Sequence, residues 1–209
     1  MRWSGATVVI LASGPSLTQD DAVHARFAVD YVIAVNESWR VLPPTTRMAA
    51  DVLYAADVSW WKHRAPKAEQ FTGERWTQDK HWTPRDAEAR GINVIRSEHG
   101  HGVAHPGADF IYTGFNSGFQ ALNLAVVWGA KRVVLLGFDM GVSNGRNHWH
   151  EDYSGGELRN AAPDVYNGFR NAFVKCAPKF AELGVEVINA SRETTLKCFP
   201  RMTIQEALP

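Results

Sequence analysis

The chain has 209 residues, 45% of them hydrophobic and 21% charged, a composition that suits one globular domain with its own core. Its 22 Lys and Arg balance 22 Asp and Glu, so no global basic field exists to hold a polyanion, and charge lends no support to a nucleic-acid partner. The apolar runs are too short to span a bilayer and no signal-peptide pattern opens the chain. A cytoplasmic protein without a membrane partner is expected, with Cys176 and Cys198 as free thiols.

Thr7-Val8-Val9-Ile10-Leu11 reads as a parallel strand covered on both faces. It stops at Ala12-Ser13-Gly14-Pro15-Ser16, where Ser16 is the expected N-cap of a short helix. Tyr31-Val32-Ile33-Ala34-Val35 is a second strand ending at Asn36, and 48–54 a third, ending near Asp57. Ile92-Asn93-Val94-Ile95 is a short fourth. Residues 60–107, rich in His, Trp, Arg and Gly, are otherwise expected to be an irregular insertion forming a flap or partner surface. Five of the eight tryptophans fall between Trp39 and Trp82, which suits an aromatic core or a site that stacks on a ring.

Small and apolar residues at helical spacing run from Ser117 to Trp128, with Gly129 as the helix stop. Arg132-Val133-Val134-Leu135-Leu136 is a buried strand stopped by Gly137-Phe138-Asp139. An amphipathic helix follows over 163–183, and Val185-Glu186-Val187-Ile188-Asn189 is the last strand. Strands alternating with helices imply an α/β, Rossmann-like domain: a mainly parallel sheet with helices on both faces.

Ligands of such sheets bind beyond the carboxyl ends of the strands. The residues there are Ser13, Gly14, Pro15 and Ser16, then Asn36-Glu37, Asp57, Gly137-Phe138-Asp139 and Asn189-Ala190-Ser191. Gly14 permits close backbone approach, and Ser13 and Ser16 supply hydroxyls beside a helix start that suits an anion. The same loop also serves as an ordinary strand-to-helix turn. Asn36 suits a ribose or base edge, or a turn. Asp57 and Asp139 suit a metal or a ribose, or helix capping. Thr113-Gly114-Phe115-Asn116-Ser117-Gly118 is a second cradle of small polar residues, in which Asn116 or Ser117 also fits an N-cap.

Gly145-Arg146-Asn147-His148-Trp149-His150-Glu151-Asp152-Tyr153 is the densest functional cluster. His148 or His150 can serve as a general base near neutral pH. Both can instead ligate a metal with Asp139 or Asp152, though His-x-His is a weak metal signature. His99, His101 and His105 lie in a Gly-rich segment expected to be a mobile loop or lid.

Val8-Val9-Ile10-Leu11-Ala12-Ser13-Gly14-Pro15-Ser16-Leu17 resembles the opening of the sialyltransferases of bacterial lipooligosaccharide synthesis and of the related MptE-like proteins, whose namesake is a pterin diphosphokinase. The resemblance continues at Val35-Asn36 and, more specifically, from Asn116-Ser117-Gly118 through Trp128-Gly129-Ala130-Lys131-Arg132 to Gly137-Phe138-Asp139. The segment from Leu196 to Met202 is similar to compact phage-borne relatives. The resemblance implies a Rossmann-like fold and a bound nucleotide. In the sialyltransferase branch it implies a nucleotide-sugar donor contacted by Ser13, Gly14, Ser16, Asn36, Ser117 and Gly118. His148 or His150 is then the base, and no metal is required. In the MptE-like branch it implies Mg²⁺-dependent pyrophosphoryl transfer from ATP, with Asp57 and Asp139 as metal candidates.

The expected function is therefore a glycosyltransferase using a nucleotide-sugar donor, with a glycan, modified nucleobase or small molecule as acceptor. The alternatives are a metal-dependent diphosphokinase and a non-enzymatic nucleotide-binding module. The exposed aromatics also allow a homo-oligomer.

Overall fold

The computed structural model describes residues 1–45, 47–80, 82–151, 153 and 161–208. Along the chain run β1 (Thr7–Leu11), α1 (Gln19–Ala28), β2 (Tyr31–Val35), a 3-10 turn (Asn36–Val41), β3 (Val52–Tyr54), α2 (Val58–Ala68) and β4 (Glu74–Gln78). Then follow α3 (Pro84–Glu88), β5 (Ile92–Glu98), β6 (Phe110–Tyr112), α4 (Ser117–Trp128), β7 (Arg132–Leu136), α5 (Val165–Glu182), β8 (Glu186–Asn189) and α6 (Ile204–Ala207). The strands form one parallel sheet in the order β6-β5-β4-β3-β2-β1-β7-β8.

The α/β, Rossmann-like reading holds, with helices on both faces. Alternation along the central strands divides the core in two. Val8 and Ile10 of β1, Ile33 and Val35 of β2 and Val52 and Tyr54 of β3 face a cluster completed by α4 and α5. Val9, Leu11, Val32, Ala34 and Leu53 face the opposite cluster, with residues of α1, α2, α3 and α6. Helix α4 is buried along nearly its whole length, as a helix apolar on all sides must be. Its polar residues are satisfied: Gln120 Oε1 accepts from the Tyr54 hydroxyl at 2.6 Å, and Asn123 Oδ1 accepts from the Ala104 amide at 3.2 Å. Cys176 and Cys198 are both free thiols, and no described helix is long and apolar enough to cross a membrane.

Two expectations need correction. Residues 60–107 are not irregular: most of α2, then β4, α3 and β5, lie there, and two of these extend the sheet. Glu74-Arg75-Trp76-Thr77-Gln78 hides its strand because four of its five residues are polar or charged and Trp76 alone is apolar. Arg75 is spent on structure, donating to the carbonyls of Ala68, Glu69 and Phe71 at 3.1–3.2 Å. Ser16 does not cap α1. Thr18 does, accepting from the Asp21 amide at 3.2 Å, because Ser16 is turned toward Asp139.

Candidate functional site

The strand order reverses between β1 and β7. Connections from β1 progress toward β6 on one side, whereas β7 and β8 lie on the other. The loops leaving the carboxyl ends of these two neighbours diverge, which is where an open α/β sheet forms a crevice. A cavity of about 590 Å³ opens there. Its walls come from the ends of β1, β2, β3, β4, β6 and β7 and from the start of α4.

The first loop is locked to the seventh strand. Asp139 accepts from the Ser16 amide at 2.7 Å and from the Ser16 hydroxyl at 2.8 Å. Gly14 donates its amide to the Gly137 carbonyl at 2.8 Å. A Cβ at Gly14 would stand 2.2 Å from Asp139 Oδ1 and 2.4 Å from the Gly137 carbonyl, so only glycine fits between the loops. Burial raises the Asp139 pKa above the usual carboxylate value, against the lowering effect of its bonds from Ser16. Ser13 stays on the cavity wall. Its hydroxyl lies 3.1 Å from that of Ser38, which already donates to the Val35 carbonyl at 2.7 Å. Ser13 is therefore the donor of that pair, and its oxygen keeps acceptor capacity on the cavity wall.

Asn36 leaves β2 at φ +53°, in the left-handed region, and lines the cavity. Its Oδ1 is buried without a hydrogen-bond partner, a deficit of about 1–3 kcal/mol unless a ligand donor fills it. Next to it, Glu37 is 1% exposed and is held by Arg40 at 3.1 Å. Arg64 Nε lies 3.0 Å from its other oxygen, a charge contact without hydrogen-bond alignment.

Across the cavity mouth stands the segment before α4. Asn116 caps the helix, accepting from the Phe119 amide at 2.8 Å. Ser117 accepts from the Ala56 amide at 3.3 Å, and Gly118 packs against the ring of Phe138. The first amides of a helix have no partner inside it, so this end of α4 presents N–H groups to an anion.

The loop after β7 carries the histidines. The Trp149 amide donates to the Ser13 carbonyl at 3.2 Å, docking this loop on the first one. Arg146 donates to the Trp149 carbonyl at 2.8 Å. The rings of His148 and His150 stack at 4.9 Å and 8°, and Tyr153 meets both edge-on at 5.2 and 5.6 Å. His148 and Tyr153 line the cavity; His150, 8% exposed, lies behind them. Burial lowers the His150 pKa, and burial together with the Glu37 charge pushes the Tyr153 hydroxyl up to about 12. Arg64 sits over the Tyr153 ring at 5.1 Å.

The cavity thus gathers Ser13, Gly14, Asn36, Asp57, Asn116, Ser117, Gly118 and His148. Pro15, Ser16, Asp139 and His150 stand outside its wall, Ser16 and Asp139 as the clasp and His150 as the underlayer of His148. Asp152 lies outside the described residues. Among the described residues no three His, Cys, Asp or Glu side chains assemble as a metal-ligand group. The segment with His99, His101 and His105 is packed and does not stand free as a lid, since Val103 and Ala104 are buried and Gly102 lies against the Tyr112 ring.

Sequence reasoning missed Gln78, Lys80 and Phe115 on the wall. The first two follow from β4, whose strand signal was weak. Phe115 was in plain view between Gly114 and Asn116, and only its left-handed backbone marks it out. No protein-family model matches the chain, and no curated protein matches it.

Proposed function

We propose that the protein is a glycosyltransferase that draws on a nucleotide-sugar donor bound in the cavity at the β1–β7 switch point. The observation that carries this reading is the unpartnered, buried Oδ1 of Asn36, a residue of the cavity wall that Ser13 also lines with an acceptor hydroxyl. Two acceptors on the lining of one cavity suit the donor groups of a nucleoside: ribose hydroxyls or an exocyclic amine. The start of α4 suits the donor's phosphate.

In this reading His148 takes the proton from an acceptor hydroxyl as that oxygen bonds to the anomeric carbon. The bond from that carbon to the phosphate oxygen breaks, and the nucleotide leaves with the electron pair. The backbone N–H groups at the start of α4 stabilise the charge that develops on the leaving phosphate. His150, stacked beneath His148, holds its ring in place.

The diphosphokinase reading needs Asp57 and Asp139 on one metal. With both Asp139 oxygens engaged by Ser16, that reading leans on Asp57 alone. The test is a set of thermal-shift titrations with CMP, UDP, GDP, ADP and ATP, each with and without Mg²⁺. A ligand at a hundred times its dissociation constant adds about 2.7 kcal/mol. Stabilisation by a nucleoside mono- or diphosphate without metal supports the transferase and identifies the donor base. Stabilisation by ATP with Mg²⁺ alone replaces it with the diphosphokinase, and silence toward all five overturns the nucleotide site. His148→Gln is expected to keep binding while losing about 100- to 10,000-fold in turnover of the matching nucleotide-sugar. A histidine variant that turns over normally removes His148 from the chemistry.

A further inference from the structure

Phe115 occupies the least favourable backbone on the cavity wall for its size. Its φ is +62°, in the left-handed region that a bulky side chain enters only at a cost. The ring recovers little of that cost by packing, because the residue is 50% exposed. Its ring contacts are edge-to-face, with His99 at 4.8 Å and His101 at 5.2 Å. The conformation is nevertheless fixed from both sides. Gly114 before it donates to the Gly100 carbonyl at 2.9 Å, and Asn116 after it caps α4. Gly114, also left-handed at φ +48°, admits no side chain, since a Cβ there would stand 2.1 Å from the Phe119 ring.

A strained aromatic that stays half open on a cavity wall is what a site keeps when it uses the ring's face. The rim supplies a cation as well: Lys80 lines the cavity and its Nζ lies 3.5 Å from His99 Nδ1.

We propose that Phe115 is the base-stacking platform of the cavity, taking the planar heterocycle of a bound nucleotide against its half-exposed ring, with His99 and His101 packed perpendicular to it. Every base presents a π face, so the platform adds affinity with little choice among bases. The selection falls to polar groups on the same wall, among them Asn36 Oδ1 and Lys80. This deepens the nucleotide reading of the cavity and rests on it.

Calorimetric titration of the wild type, Phe115→Ala and Phe115→Tyr with AMP, CMP, GMP, UMP and ribose 5-phosphate separates the two. The wild type is expected to bind at least one nucleotide more tightly than ribose 5-phosphate. Phe115→Ala should weaken that nucleotide roughly ten- to a hundredfold and leave ribose 5-phosphate unchanged, with Phe115→Tyr within about threefold of wild type. Melting curves report whether each variant is folded. If the wild type binds a nucleotide and folded Phe115→Ala binds it equally well, the platform is wrong and the nucleotide site stands. If the wild type binds none of the four nucleotides, the nucleotide reading itself is overturned. A Phe115→Ala loss that is equal for ribose 5-phosphate also overturns the platform, because a base-free ligand has nothing to stack.

Discussion

The two edges of the sheet are built to opposite rules. At the amino edge, Trp3 stacks on Tyr31 at 4.4 Å and meets Trp128 edge-on at 4.5 Å, while Trp76 meets Trp128 at 5.0 Å. The Trp3 amide donates to the Trp128 carbonyl at 2.7 Å, and the Arg2 guanidinium caps the cluster 4.4 Å from the Trp128 ring. These rings pack against one another, with Trp3 and Trp128 buried and Tyr31 and Trp76 partly buried, and none of the four residues has a positive φ. At the carboxyl edge, Asn36, Phe115 and Met140 all have positive φ, Asn36 Oδ1 is buried without a partner, and Phe115 is half open. One parallel sheet therefore gathers ring packing at one end and places positive-φ residues and the unpartnered Asn36 Oδ1 at the other, where the cavity opens. The difference separates residues whose conformation packing explains from residues whose conformation packing leaves unexplained.

The largest effect that tests this division is expected from Trp128→Ala. Removing a core tryptophan costs about 3–5 kcal/mol, and each kcal/mol lowers the melting temperature by about 2–4 °C in a chain of this size. Nucleotide affinity measured below the new melting point should not change, because Trp128 stands about 12 Å along α4 from Gln120, the nearest residue of that helix on the cavity wall. A loss of affinity beyond threefold in the folded variant would show that the edges are coupled. Gly14→Ala is the opposite experiment, with a smaller stability cost of about 1–3 kcal/mol for overpacking. Its added Cβ collides with Asp139 and with the Gly137 carbonyl, so the first loop must move. Nucleotide binding is expected to fall at least tenfold while far-ultraviolet circular dichroism stays native. Binding that survives would remove the first loop from the site.

The order in which these features could be read follows from their physics. Buried parallel strands announce themselves by aliphatic runs, so β1, β2 and β7, and with them the carboxyl side on which the cavity opens, were legible, whereas its place between β1 and β7 needed the strand order. Helix α4 was legible through its small residues and Gly129, which stands at φ +102°. Strand β4 was not, since Arg75 and Glu74 sit at positions that normally carry apolar groups, and β6 is only three residues long. Strand-end polarity picked out Ser13, Gly14, Asn36 and Asp57, and the cluster of small polar residues before α4 picked out Asn116, Ser117 and Gly118, all of which line one cavity. It could not tell Asp139 from Asp57, because lining a cavity and clasping a neighbouring loop call for the same carboxylate. The roles of His148 and His150 also separate only in three dimensions, where a stack puts one ring at the wall and the other behind it.

His150 gives the smallest effect and the sharpest control on that separation. Its Nδ1 bonds the Glu151 carbonyl at 2.6 Å, so that nitrogen carries the proton, and the buried Nε2 has no hydrogen-bond partner. A second proton would put a charge there in a site closed to water. Burial accordingly lowers the pKa, with Glu37 opposing and Arg40 and Arg64 assisting the shift. A folded pKa below the unfolded value of about 6.5 means that His150 contributes its stability in full above that value, and the contribution is lost as pH falls through the lowered pKa. His150→Phe keeps an aromatic ring under His148 but does not titrate. The wild type should lose more melting temperature between pH 7.5 and pH 5 than the Phe variant does, with each unit of pKa shift worth about 1.4 kcal/mol. Asp139, whose pKa is raised, works in the other sense: its contribution is present at acid pH and fades as pH rises through its folded value. That term is common to both proteins and cancels in the difference. Parallel melting profiles would mean that His150 is solvated in the folded state, and the closed underlayer assigned to it at the carboxyl edge would have to be abandoned.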